Sequence, residues 1–280
     1  MSYRTIVAVL SAPEDTAKVT EHAVALAHRF DAHVIGIHAE TPIVVTVVAP
    51  MEYPDPSAIL DLQERAREQT LAVEREFRTR CERDGLSHEW RFFTGSAGYA
   101  SAGIIASARA ADLVITAQFD PNFDGPSRAD IEDLLYDSGR PLYIVSDALA
   151  GPAPIERVLI AWDGSREAAR AVFDAMPFID GASEVEVLCV DPAETETQSA
   201  DMCGAEIAAS LARHGINVTA SSAQSGHKSV TSIINAKATE SRADLVVMGA
   251  YSHSRLRQRL FGGVTSAMMM EARVPVLMSR

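Results

Sequence analysis

Short apolar runs alternate along this chain with stretches of helical periodicity. In the first half the runs are Thr5–Leu10, His33–His38, Glu89–Phe93, Asp112–Thr116 and Leu142–Val145. In the second half they are Val158–Trp162, Glu184–Val190, Asn217–Ser221, Leu245–Met248 and Val276–Met278. Runs that are apolar throughout suit strands covered on both faces, as in parallel sheets. The stretches between them carry apolar stripes: Val19, Ala23, Leu26 and Phe30 in one, Ala66, Val73, Phe77 and Cys81 in another. The second stripe is flanked by Glu74/Arg78 and Glu76/Arg80 at i,i+4 spacing, the mark of a solvated helix face. The pattern predicts an α/β protein in which each half is a five-stranded, mainly parallel sheet with helices on both faces. In such sheets ligands sit at the carboxyl ends of the strands, near the point where strand order reverses. The loops that matter are those after strands one, two and four of each half.

The two halves share one plan. Residues 4–9, RTIVAV, resemble 157–162, RVLIAW; ADLVI at 111–115 matches ADLVV at 243–247; and RPLYIV at 140–145 parallels VPVLM at 274–278. The order is the same in each half, which implies tandem copies of one domain. A small-residue, Pro/Gly stretch at 147–154 separates them. The expected domains are 1–147 and 155–280, with a Pro-rich insertion at Thr41–Pro56 in the first.

Composition narrows the function classes. The 280 residues are 47% apolar and carry a formal net charge of −13, which argues against sequence-independent nucleic-acid binding and against an anionic membrane surface. No apolar run approaches the ~20 residues that span a bilayer. The start, MSYRTIVAVL, reads as a first strand and not as a signal peptide. Cys81, Cys189 and Cys203 are too few for a disulfide framework and lack metal-ligand spacing, so each reads as a small apolar residue. The expected compartment is the cytoplasm, and no metal site is expected.

The chemistry concentrates in the second half. Strand one ends Ala161-Trp162-Asp163-Gly164-Ser165, where Asp163 is either a ligand for an amino or ribose hydroxyl group or, with Ser165, a candidate helix N-cap. Strand two ends at Val190, which either packs on a base or belongs to the core. Strand four ends in Met248-Gly249; a polar, basic stretch follows; then Gly262-Gly263-Val264-Thr265 opens a helix. Free N–H groups at a helix start, reached through glycine, make an anion site. The equivalent positions of the first half have lost this equipment: Leu10 stands where Asp163 stands, and the loop after its fourth strand holds Asp120, Asp124, Asp130, Pro121 and Pro126. Met268-Met269-Met270 reads as core.

These features resemble the universal stress protein (UspA-type) family in its tandem two-domain form, over essentially the whole chain. The nucleotide-binding branch of that family carries G-x2-G-x9-G-[S/T], followed by a hydrophobic residue and Thr. Here Gly249-Ala250-Tyr251-Ser252, nine residues, then Gly262-Gly263-Val264-Thr265 keep the full spacing. Ser252 replaces the second glycine and Gly263 the Ser/Thr. The resemblance implies the adenine nucleotide alpha hydrolase-like, Rossmann-like fold. It implies an adenine and ribose pocket at Ala161, Asp163, Val190 and Met248, and a phosphate loop at Gly249, Ser252, Gly262, Gly263, Val264 and Thr265. It implies ATP, or ADP or AMP, with Mg, as cofactor, and an unidentified protein partner. It further implies a pseudo-dimer within the chain, through Pro141–Val145 and Pro275–Met278, and leaves further homodimerisation open.

Three function classes follow. The first is an ATP-binding stress-response regulator with at most slow hydrolysis, since no catalytic base accompanies the loop. The second is a nucleotide-free scaffold, which the departures at Ser252 and Gly263 favour. The third, an adenylating enzyme, would want an S-G-G-x-D-S loop after strand one, which the chain lacks; a Walker A loop and a G-x-G-x-x-G after strand one are also missing.

Overall fold

The structure, a computed structural model, describes residues 2–40, 56–94, 97–119, 131–192, 203–251 and 263–280. The chain separates into two compact units. Of the described residues, one holds 4–115 and 131–138; the other holds 2–3, 116–119 and 139–280.

The first unit contains β1 (Thr5–Val9), α1 (Pro13–Phe30), β2 (His33–Glu40), α2 (Pro56–Arg83), β3 (His88–Thr94), α3 (Ala97–Arg109), most of β4 (Leu113–Ala117) and α4 (Ile131–Asp137). Its strands lie in the order β3-β2-β1-β4, with β1 parallel to β2 and β4, and β2 parallel to β3. Ile6, Val7, Ala8, Leu113, Val114 and Ile115 are fully buried. This is why these strands read as unbroken apolar runs and not as alternating ones.

The second unit contains β5 (Leu142–Val145), β6 (Arg157–Ala161), α5 (Arg166–Asp174), α6 (Met176–Ile179), β7 (Glu184–Val190), α7 (Ala205–Arg213), β8 (Val218–Ala223), α8 (Val230–Glu240), β9 (Leu245–Gly249), α9 (Val264–Glu271) and β10 (Val276–Ser279). Strand order is β5-β10-β9-β6-β7-β8. All neighbours from β10 to β8 run parallel. β5 alone is antiparallel, pairing Val276 with Ile144, Leu277 with Tyr143 and Met278 with Leu142. The last strands of the two repeats thus pair with each other, as the family resemblance implies. Chain order runs outward from β6 through β7 to β8, then returns to the other side of β6 with β9. The β6–β9 boundary is therefore the switch point.

The repeated Ala-Asp-Leu-Val segment has a structural cause. Asp112 Oδ2 accepts the N–H groups of Arg4 (2.8 Å) and Thr5 (2.9 Å) at the start of β1. Asp244 Oδ2 accepts those of Glu156 (3.0 Å) and Arg157 (2.8 Å) at the start of β6. In both copies one carboxylate closes the head of the central strand.

Of the methionine triplet, Met268 and Met269 are buried, while Met270 is 38% exposed. Two members serve the core, as expected, and the third faces solvent. No helix of the described residues is long and apolar enough to cross a membrane.

Candidate functional site

The site is built from the carboxyl ends of β6, β7 and β9. Ala161 closes β6 and lies beside Met248 of β9 in register; Ala161 is half-buried and Met248 buried. Trp162 still donates its N–H to Leu188 O (2.8 Å), and the chain then turns at Gly164, whose φ is +74°. Asp163 Oδ1 accepts from Ser165 N (3.0 Å) and from its hydroxyl. Ser165 Oγ in turn accepts from Ala168 N (3.1 Å), capping α5. Ser165 is the N-cap; Asp163 orients it and remains exposed at the mouth of the site.

Val190 ends β7, half-buried and paired with Ala223. Asp191 follows with φ +49°, an unusual conformation for a residue other than glycine. Its carboxylate accepts Ser225 N (2.8 Å) and the Ser225 hydroxyl. These hydrogen bonds stabilise the anion and hold its carboxyl below the usual range. Trp162, Asp163, Val190, Asp191, Cys203 and Ile207 line one cleft of about 480 Å³.

Gly249 ends β9. A Cβ built there meets Ala168 N at 2.4 Å, Glu167 C at 2.6 Å and Ala168 Cα at 2.8 Å. The backbone that glycine admits is therefore the first turn of α5. Beyond it, Tyr251 is buried with φ +56°, and its N–H is accepted by Thr265 Oγ1 (3.1 Å). Thr265 is itself buried. One of its hydroxyl lone pairs serves the loop, and the hydroxyl can still donate its own proton. α9 begins at Gly263 in extended conformation with no side-chain cap. The N–H groups of Val264 and Thr265, its first two residues, are donors of the kind an anion needs. Gly263 and Val264 are both half-buried there. Ser252 and Gly262, the remaining loop positions, lie outside the described residues.

The structure thus brings Ala161 and Met248 together across the switch point. It ties the end of β9 to the start of α9 through Tyr251 and Thr265. The donor set fits an anionic ligand: the backbone N–H groups of Val264 and Thr265, one hydroxyl, and the exposed Asp163 carboxylate for amino or hydroxyl groups. No cluster of three metal-ligating side chains occurs among the described residues.

One expectation is overturned. Cys189 and Cys203 are not two separate apolar fillers; they form a disulfide, with Cα atoms 6.2 Å apart. Cys81 is free and buried, as expected. The pair joins the end of β7 to the residue before Gly204, the start of α7, and both ends border the cleft. A spacing of 14 residues across a strand end and a helix start carries no sequence signal of its own. The Asp191–Ser225 anchor and the Tyr251–Thr265 tie were likewise not apparent in the sequence, since both depend on left-handed residues that are not glycine.

In the first unit the equivalent place is filled. Leu10 is fully buried, and its carbonyl lies 2.6 Å from His38 Nδ1. His38 occupies the register position of Val190 and stacks between Trp90 and Phe92, with centroids at 6.4 and 6.1 Å. An imidazole and a leucine stand where the second unit has an open cleft. The acidic, Pro-containing loop of this half, 120–130, lies outside the described residues.

Known proteins resemble the C-terminal half in sequence and the whole chain in fold. A family model described as "Universal stress protein family" matches residues 154–280. The chain is similar in structure to a universal stress protein from Archaeoglobus fulgidus DSM 4304, with 20% identity and a TM-score of 0.69, covering 99% of this chain and 96% of that one. It is also similar to a putative universal stress protein from Pseudomonas aeruginosa UCBPP-PA14, with 18% identity and a TM-score of 0.56, covering 99% and 93%. Both likenesses extend the fold over the whole chain. Comparison with curated protein sequences gives no match.

Proposed function

We propose, on the premise that residues 154–280 form a universal stress protein domain, that the chain is an adenine-nucleotide-binding stress-response regulator with one site, in its C-terminal half. The observation that carries this reading is the start of α9. It is uncapped at Gly263 and tied to the end of β9 by the Tyr251–Thr265 hydrogen bond. Phosphates of ATP, ADP or AMP, with Mg, would meet the N–H groups of Val264 and Thr265 and the Thr265 proton. Asp163 would accept from the ribose or base, against Ala161, Val190 and Met248. The chain's own residues bind and orient, and no catalytic base is evident among the described residues at the start of α9, so turnover is at most slow hydrolysis. The first half acts as a structural partner through the β5–β10 pairing, making a pseudo-dimer in one chain. A protein partner reads the nucleotide state, and the site of action is the cytoplasm.

A second reading has its own support. Gly249 makes room for α5, and the Thr265 hydroxyl already accepts from Tyr251 N–H. Both residues thus have structural reasons to be what they are, as a nucleotide-free scaffold requires.

The test is nucleotide content. Purified protein is denatured and its supernatant resolved by anion exchange and mass; the emptied protein is then titrated with ATP-Mg by calorimetry. About one nucleotide per chain, lost in a folded Gly262→Asp variant through charge repulsion, supports the first reading. No nucleotide and no heat at millimolar ATP leaves the scaffold.

A further inference from the structure

Two cysteines in one wall of the cleft are a chemical site in their own right. Cys189 is the next-to-last residue of β7, 1% exposed. Cys203 is half-buried and directly precedes Gly204. Gly204 has φ +77°, and a Cβ there would press on Val187 Cγ1 at 2.8 Å and reach Cys189 Sγ at 3.4 Å. Glycine is what lets α7 start this close to β7. From there α7 sends Ile207 and Leu211 into the core. The cysteine Cα separation of 6.2 Å lies within the range a disulfide spans. The close approach of Gly204 to Val187 and Cys189 places the two cysteines side by side.

We propose that Cys189–Cys203 is a reversible thiol–disulfide modification site that sets the wall of the cleft, with dithiols as its substrate class. A dithiol thiolate attacks Cys203 Sγ, the more accessible sulfur, and the S–S bond breaks with the electron pair leaving on Cys189. The second thiol of the reductant resolves the mixed disulfide. The cysteines gain two electrons and two protons; the reductant becomes a disulfide. The reverse step takes a disulfide oxidant of the same class. The S–S link fixes the start of α7 to the end of β7, where Val190 and Asp191 face Trp162 and Asp163 across the cleft. Reduction leaves that junction held by packing alone. In a reducing compartment such a pair is responsive and not a permanent staple. The coupling of this site to ligand affinity rests on the nucleotide reading above; the redox site itself does not.

The experiment uses the full chain. Wild-type protein is equilibrated in buffers of graded reduced-to-oxidised dithiothreitol ratio, and its redox state is read by thiol-alkylation gel shift. Hydrogen exchange of the 203–213 amides and ATP-Mg affinity are then measured at both ends of the series. Cys203→Ala, at a half-buried position, supplies a locked form, and circular dichroism verifies its fold. The expected result is a reversible titration of the folded protein. Exchange in 203–213 is about tenfold faster when reduced, ATP affinity changes by about fivefold or more, and Cys203→Ala behaves as the reduced form. A pair that reduces only on unfolding, or identical exchange in both states, overturns the proposal. Unequal exchange with equal, measurable ATP affinity overturns the coupling. Unequal exchange with no ATP binding in either state supports the redox site and removes the nucleotide reading instead.

Discussion

Replacing Gly249 with alanine should unfold the second unit early, and the size of the effect follows from three distances. The added Cβ would sit 2.4 Å from Ala168 N, 2.6 Å from Glu167 C and 2.8 Å from Ala168 Cα. All three atoms are backbone, so no side chain can rotate away. An ordinary contact requires about 1 Å more, which means lifting the first turn of α5 off β9. Gly249 is not among the glycines with positive φ, so the cost is purely steric. Overpacking of this kind costs up to roughly 3 kcal/mol, or a fall of roughly 10 °C in the midpoint for a unit of this size. Gly164 is the control: its φ is +74° but nothing lies within 4 Å of its Cβ position. Alanine there should cost only about 1 kcal/mol of backbone strain. Trp90 lies in the first unit and Trp162 in the second. In a Trp90→Phe background, urea unfolding by tryptophan emission therefore reports the second unit alone. A Gly249→Ala protein as stable as its parent, with only nucleotide affinity lost, would refute the steric account and assign the glycine to the ligand.

Other outcomes follow from single contacts. Asp244→Ala strands two N–H groups at the head of β6 and should cost roughly 1–3 kcal/mol; Asp112→Ala should cost a similar amount in the first unit, each read by denaturant unfolding. Ser165→Ala removes the α5 cap and should cost about 1 kcal/mol, with faster amide exchange at Ala168. Burial, with Lys18 adding to it, pushes the His22 imidazole down to about 4. The unfolded chain therefore binds that proton first, and stability should fall between about pH 6.5 and pH 4, by at most roughly 3 kcal/mol. His22→Leu should flatten that part of the pH profile relative to wild type in otherwise matched acid-unfolding series.

The strands were legible because both faces are covered. The run Leu142–Val145 matches β5 to the residue, since unbroken burial leaves an unbroken apolar word; Glu184–Val190 matches β7 although Glu184 and Glu186 interrupt its apolar run. The repeat was legible because Asp112 and Asp244 do the same work in each copy. The site was less so. Ser165 could be read as a cap from residue type and position, but Asp163 could not be assigned between ligand and anchor without its distance to Ser165. Gly249 stood out as a glycine at a strand end, yet only the position of α5 shows what approaches it. Cys189 and Cys203 become partners through the crossover that returns the chain to the start of α7, a tertiary fact that spacing does not encode.

The β5–β10 pairing has a consequence for how the chain can be taken apart. β10 has β9 on one side and β5 on the other, and β5 comes from before the Pro/Gly stretch at 147–154. A fragment beginning at residue 155 would keep every residue of the candidate site but leave the outer hydrogen-bonding row of β10 bare. A bare row of this kind recruits another strand, and the nearest supply in solution is the same row on a second fragment, in the same antiparallel sense. In the full chain β5 occupies that edge through covalent linkage, at a fixed effective concentration that does not depend on how much protein the cell contains.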